Sequence, residues 1–321
     1  MNHHAQRGFA ETSARPCAPV RVADAVPRAG AEIIVTSCDG HRFAMRRTGQ
    51  GAPLLMLHDM TSTQGAWDPV RLVLSWSNTV CTWDARGHGK SRGTPESGVP
   101  TVGLLAADLD AAIDACGAER PVLAGHGLGA LTILEYLRNY DPSRVSRVVL
   151  VDQSPRMLAA PDWPLGLFGT FNAANALEFE AQVRVDFARA WQALQQRGDG
   201  GVAPAERPQY DRHQDALRRH LRQLAEGSML ALWRSMLVRD YRVDLAALPV
   251  PLLAVLGVSS NLYDATRLGS WFQDCVPDAH VIRYPKAGHA PHGDLPARFA
   301  RDVAAFAARR ATVPRHHMAA A

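Results

Sequence analysis

The chain has 321 residues, 47% hydrophobic and 21% charged, enough for one large core or a core carrying an insertion. Its 35 Lys and Arg against 31 Asp and Glu leave a net charge of +4, with no basic run longer than a pair, which excludes a nucleic-acid footprint. No stretch approaches the ~18 consecutive apolar residues of a membrane span, and residues 1–30 lack the apolar run of a secretory signal. Five cysteines, Cys17, Cys38, Cys81, Cys116 and Cys275, show no Cys-x-x-Cys spacing. An odd, unpatterned set fits free thiols and a cytoplasmic location better than a disulfide framework.

In chain order, residues 1–30 read as a flexible tail. From 31 to 155 short apolar runs, AEIIVT, RFAMRR, PLLMLH, TVCTWD, PVLAGH and RVVLVD, alternate with helical patterns. The clearest helix is 101–116, with Thr101 as its cap. Such alternation predicts right-handed crossovers and a mostly parallel sheet with helices on both faces, an α/β fold. Between 156 and 245 the pattern is helical and aromatic-rich, with no convincing strand. Strand patterns resume at PLLAVLG (251–257) and HVIRYP (280–285), followed by a helix near 295–310, and 312–321 reads as a second tail. The expected organisation is a core of 31–155 and 246–311 with a helical cap, 156–245, placed over the carboxyl edge of the sheet.

Four motifs carry chemistry. Gly125-His126-Gly127-Leu128-Gly129 joins a strand to a helix as in a nucleophile elbow, where glycines flank a strained turn that projects its central side chain. PLLMLHDMTSTQGAWDPV (53–70), WDARGHGKS (83–91) and YPKAGHAPH (284–292) follow or precede it. Together and in this order they resemble the α/β-hydrolase-fold superfamily, over about residues 31 to 310. Asp-Gln-Ser-Pro at 152–155 with a later Ser-Asn-Leu-Tyr stretch is similar to bacterial esterase or haloperoxidase-like hydrolases. The resemblance implies that His289 is the catalytic base and that the backbone N–H groups of Leu128 and Met60 are oxyanion donors. It also makes His58, Asp59, His126, Trp163 and Phe168 candidates to line the site.

The partner of His289 is open to choice. Many members carry an acid after the strand at 251–257, but here the chain reads LGVSSNLYD, with Ser260 and Asn261 where Asp is usual. Asp152 is the better candidate over Asp264, since a subset of the fold places its acid at the end of the preceding strand. His126 and His88 read as packing residues, and His292 as a loop surface residue.

Two positions depart from the resemblance. Gly127 has no side chain where the superfamily carries its nucleophile, so it forms no acyl-enzyme. Asp59 stands where glycine is expected, and either faces the site, where it would oppose a developing oxyanion, or turns outward to cap its loop. Three functions follow. The first is proton-driven chemistry by a His289–Asp152 general base on a small, mostly apolar molecule: lyase, cyclisation, isomerisation, cofactor-free oxygenation or direct water attack. The second is an ester, lactone or amide hydrolase whose serine is replaced by Gly127. The third is a non-catalytic binder of ligand or partner. The retained pair favours catalysis. No metal or organic cofactor is implied, nor a nucleic-acid or membrane partner; the His-His pairs at 3–4 and 316–317 promise at most an adventitious metal contact.

Overall fold

Central runs such as VLAGH and RVVLV become strands because their side chains are buried on both faces at once, whereas the edge run EIIVT is mostly exposed. In the computed structural model, β1 (Glu32–Thr36), β2 (Arg42–Thr48), β3 (Ala52–Leu57), α1 (Asp68–Leu74), β4 (Asn78–Trp83) and α2 (Val102–Ala115) come first. Then follow β5 (Val122–His126), α3 (Leu128–Asn139) and β6 (Arg147–Val151). Five helices intervene: α4 (Ala173–Val185), α5 (Phe187–Asp199), α6 (Arg207–Leu221), α7 (Glu226–Leu237) and α8 (Arg242–Ala246). The core resumes with β7 (Leu252–Gly257), α9 (Ala265–Cys275), β8 (Ala279–Tyr284), α10 (Pro291–Asp294) and α11 (Pro296–Ala307). The structure describes Gly30 and residues 32–92, 98–117, 120–199 and 207–309. The two expected tails, Gly30 apart, lie outside the described residues.

The strands form one sheet in the order β1-β2-β4-β3-β5-β6-β7-β8. β1–β2 and β2–β4 are antiparallel, and every pair from β4 onward is parallel. Period-2 alternation splits the core: Leu55, Leu57, Leu123, Val148 and Leu150 pack on one face, Leu54, Met56, Val122, Val149 and Val151 on the other. Thr101 caps α2 as its sequence predicts, its hydroxyl accepting from Leu104 N–H at 3.2 Å. Among the described residues no helix is long and apolar enough to cross a membrane.

The β3 and β4 carboxyl-end loops are braced by buried polar groups. Arg86 meets Asp108 of α2 through two bonds of 3.0 and 2.7 Å, both side chains almost wholly buried. Asp84 accepts from Gln64 N–H at 2.7 Å and Lys90 N–H at 2.9 Å, closing the two loops on each other.

Candidate active site

Asp59, Gly127, Asp152 and His289 all lie past the carboxyl ends of parallel strands, where an open α/β sheet leaves a crevice. Between β5 and α3 the chain turns so sharply that Gly127 has φ 52° and ψ −114°, left-handed backbone that a side chain adopts only with strain. Asp152, directly after β6, is also left-handed, at φ 44°. Its strain is held by two bonds: Oδ1 accepts from Gly257 N–H at 3.0 Å, and Oδ2 lies 2.8 Å from His289 Nδ1. Asp264, the competing acid, is instead the N-cap of α9, accepting from Thr266 and Arg267 N–H.

Asp59 turns inward. Its Oδ1 accepts from Leu128 N–H at 2.8 Å and its Oδ2 lies 3.4 Å from His289 Nε2. A Cβ built on Gly127 would stand 1.7 Å from Asp59 Oδ1, so the carboxylate fills the space that a side chain at the turn's apex would take. The Leu128 amide, expected to be free for an oxyanion, is engaged by a resident carboxylate; this corrects the expectation, and the reason is the missing side chain opposite.

The loop carrying Asp59 is pinned by neutral imidazoles. His58 accepts from Ala85 N–H at 3.0 Å and donates to Asp59 O at 2.7 Å. His88 accepts from Thr61 N–H at 3.1 Å and donates to Arg86 O at 3.0 Å. Each needs one unprotonated nitrogen, and burial lowers His58 to about 4 and His88 to about 3. His220 of α6 donates to Thr61 O at 2.8 Å, tying the insertion to the same loop.

His289 lies between two carboxyl groups, Asp152 at Nδ1 and Asp59 at Nε2. Burial opposes its charge, but the bonds to Asp152 and Asp59 outweigh burial and raise it to about 10. The His289 contact, the nearby His126 and the Leu128 N–H hold Asp59 below the usual carboxylate range, against its own burial. The expected resting base is therefore protonated at neutral pH. His126 donates from Nε2 to His289 O at 2.8 Å and is lowered to about 4, chiefly by burial, so it fixes the His289 backbone. His292 is buried against Trp67, ring centroids 4.3 Å apart, and is not the surface residue expected; α10 turns it inward.

Asp59, Met60 and His289 open on a covered cavity of about 70 Å³, whose core side is completed by Gln153, Leu262 and Tyr263. The insertion supplies Trp191, Leu194 and Gln195 from α5 and Trp233 and Met236 from α7. His58, His126, Trp163 and Phe168, expected as lining, are not in its wall: the two histidines serve as backbone struts. Trp163 packs edge-on to Trp271 and donates to Arg156 O, while Phe168 lies under Arg197. Both aromatics precede α4 and are spent on seating the insertion. Among the wall residues sequence reasoning missed are Gln153 and Tyr263, bonded to each other at 3.0 Å. The available signal was position, since both lie just past the carboxyl ends of β6 and β7. Among the described residues, Asp59, His126 and His289 have ligand atoms within 4.8 Å of one another, a spacing that would suit a cation. An ion there would have to displace the proton His289 shares with two carboxylates.

A sharp elbow between β5 and α3, faced by a histidine from the loop after the last strand, defines a protein of α/β-hydrolase fold. The chain belongs to the alpha/beta hydrolase family, whose description matches residues 54–302. It is 30% identical over 257 residues to 2-(acetamidomethylene)succinate hydrolase of Mesorhizobium japonicum, covering 76% of this chain and 84% of that one. It is 24% identical over 253 residues to a pimeloyl-[acyl-carrier protein] methyl ester esterase of Nitrosomonas europaea, 78% and 94% of the two chains. An esterase structure from Exiguobacterium antarcticum superimposes with TM-score 0.74 at 17% identity, over 85% of this chain and 98% of that one, a likeness of fold.

Proposed function

We propose that this protein is a hydrolase of small, mostly apolar organic molecules that works without a serine acyl-enzyme, with Asp152, His289 and Asp59 as its reacting groups. One observation carries the reading: a carboxylate occupies the apex left empty by Gly127, in contact with a histidine that a second carboxylate orients, at the floor of a covered apolar cavity. The relatives named as hydrolase and esterase support hydrolysis as the reaction class.

The same observation weighs against a serine enzyme altered at one position. Serine at 127 would have to expel the Asp59 carboxylate from both the Leu128 amide and His289. Asp152 fixes the Nδ1 side of His289, leaving Nε2 to face Asp59 and the cavity. His289 becomes a base only when the negative charge on Asp59 is removed.

The test is hydrolysis of a panel of small esters, lactones, epoxides and alkyl halides by the full chain and by His289→Ala. Turnover that falls ~10²–10⁴-fold in His289→Ala is expected, the usual contribution of a positioned acid–base group. Tight binding of small apolar ligands with no turnover of any of them would replace catalysis with binding.

A further inference from the structure

We propose that Asp59 is the covalent nucleophile of this protein, reaching from the loop after β3 into the place of an elbow side chain, and that its substrate is an alkyl electrophile. The inference rests on the catalytic reading above and adds the attacking atom and the substrate class.

The two oxygens of Asp59 face different partners. Oδ1 is 2.8 Å from the Leu128 amide, at the N-terminus of the twelve-residue α3, where the helix dipole and an open N–H favour negative charge. Oδ2 is the oxygen near His289 Nε2, at 3.4 Å. This division suits a carboxylate that attacks with one oxygen and later holds an oxyanion on the other. The loop fixes it, since the bonds of His58 to Asp59 O and of His88 to Thr61 N–H leave the side chain little choice of direction. A group held so far below the ordinary carboxylate range is a poor proton acceptor, but attack on carbon requires only that it be ionised.

The Leu128 amide also decides the substrate class. An acyl substrate would need that amide for its own carbonyl oxygen, yet Oδ1 already takes it. Displacement at a saturated carbon places charge on the leaving group instead, elsewhere in the cavity. Trp233, one of the residues lining the cavity, carries an indole N–H that is buried with no hydrogen-bond partner among the described residues. Gln195 Oε1, in the same wall, is likewise buried and unpartnered. Buried polar atoms are usually hydrogen-bonded, and two that lack a partner among the described residues belong to residues of this wall.

The reaction then runs in two balanced halves. Asp59 Oδ2 bonds to the saturated carbon while the leaving group takes the electron pair of the broken bond. Asp59, now a neutral ester, no longer holds the proton of His289, which passes to the alkoxide of an opened ring or, when a halide leaves, to solvent. Neutral His289 next takes a proton from water as the water oxygen adds to Asp59 Cγ, and the oxyanion on Oδ1 keeps the Leu128 N–H. Collapse breaks the Cγ–Oδ2 bond, and the product alcohol leaves with Oδ2 and the proton from His289. Asp59 is left as a carboxylic acid with one oxygen from water, and it passes the second water proton to His289, which restores the carboxylate and the protonated histidine.

The experiment uses the full chain with a four-carbon epoxide and a four-carbon alkyl bromide. In a single turnover in water enriched in oxygen-18, the label is expected in the peptide carrying Asp59 and not in the first alcohol released. His289→Ala should accumulate one equivalent of alkyl adduct on that peptide, because alkylation needs no base and its hydrolysis does; Asp59→Asn should form none. Label appearing wholly in the first alcohol would overturn the inference in favour of direct water attack, leaving the hydrolase reading intact. Failure of both probes alongside His289-dependent hydrolysis of esters would overturn it too and again spare that reading, whereas no turnover of any substrate would sink both. The oxygen-18 measurement is made on the unaltered chain, so it does not depend on a variant folding.

Discussion

Gly127 and Asp59 act as a complementary pair, since the carboxylate of one occupies the volume the other lacks. Gly127→Ser alone should therefore gain no His289-dependent esterase activity. It should also lose ~1–3 kcal/mol of stability, because the left-handed backbone is strained by a side chain and the displaced Asp59 forfeits two partners. Combining it with Asp59→Gly removes the collision and frees the Leu128 amide. The double variant should acquire measurable turnover of an activated ester, and a double variant as inert as the single would show that the elbow is not competent. The pH dependence follows from the same cluster. His289 is raised from an ordinary value of 6.5 to about 10, so its contribution to stability is fully present below pH 6.5 and is lost as pH rises through about 10. Tm should fall between those limits, and less so in His289→Ala. Likewise kcat/KM on an alkyl probe should show no rise through pH 6.5, where an ordinary histidine base would lose its proton.

At the scale of elements, the site depends on loops held by polar groups that never touch the cavity. The β4 loop is anchored to α2 by Arg86 and Asp108, a bidentate pair buried on both sides. Asp108→Ala would leave Arg86 with only its exposed carboxylate partner, Asp39. Removing one member of a buried pair typically costs ~3–5 kcal/mol, which a urea unfolding midpoint would register. The same substitution should lower kcat more than it alters KM, because His88 on that loop helps fix the backbone of the Asp59 loop.

For the molecule as a whole, the insertion narrows the crevice at the sheet edge to a small cavity. About 70 Å³ is small beside the ~300–1,000 Å³ of drug-sized pockets, so the substrate is compact or α5 and α7 move to admit it. Trp191 and Trp233 pack edge to face, centroids 5.3 Å apart, as part of the cavity wall. Trp191→Ala should cost ~3–5 kcal/mol by the loss of buried aromatic packing and shift the preferred alkyl probe to longer chains. A thermal melt and a chain-length series measure both effects, and an unchanged length preference would mean that the insertion opens during turnover.

The α/β architecture was legible because strand and helix periodicities are local properties, written in runs such as PVLAGH and the Thr101-capped helix. The elbow, the Gly-His loop at 288–289 and Asp152 were legible for a similar reason: each sits at a strand end, and strand ends converge on one edge of a parallel sheet. Which aromatics reach the cavity was not legible, since Trp163 and Trp191 have the same chemistry and only helix packing separates them. Nor was the charge on His289, because its proton is held by two carboxylates that the chain brings together from far apart. By itself the sequence determined that a side chain was missing at 127 and that an acid had appeared at 59. Only the tertiary structure decided that the second fills the space of the first, because the contact between β3 and β5 that joins them is long-range, and no local spacing encodes it.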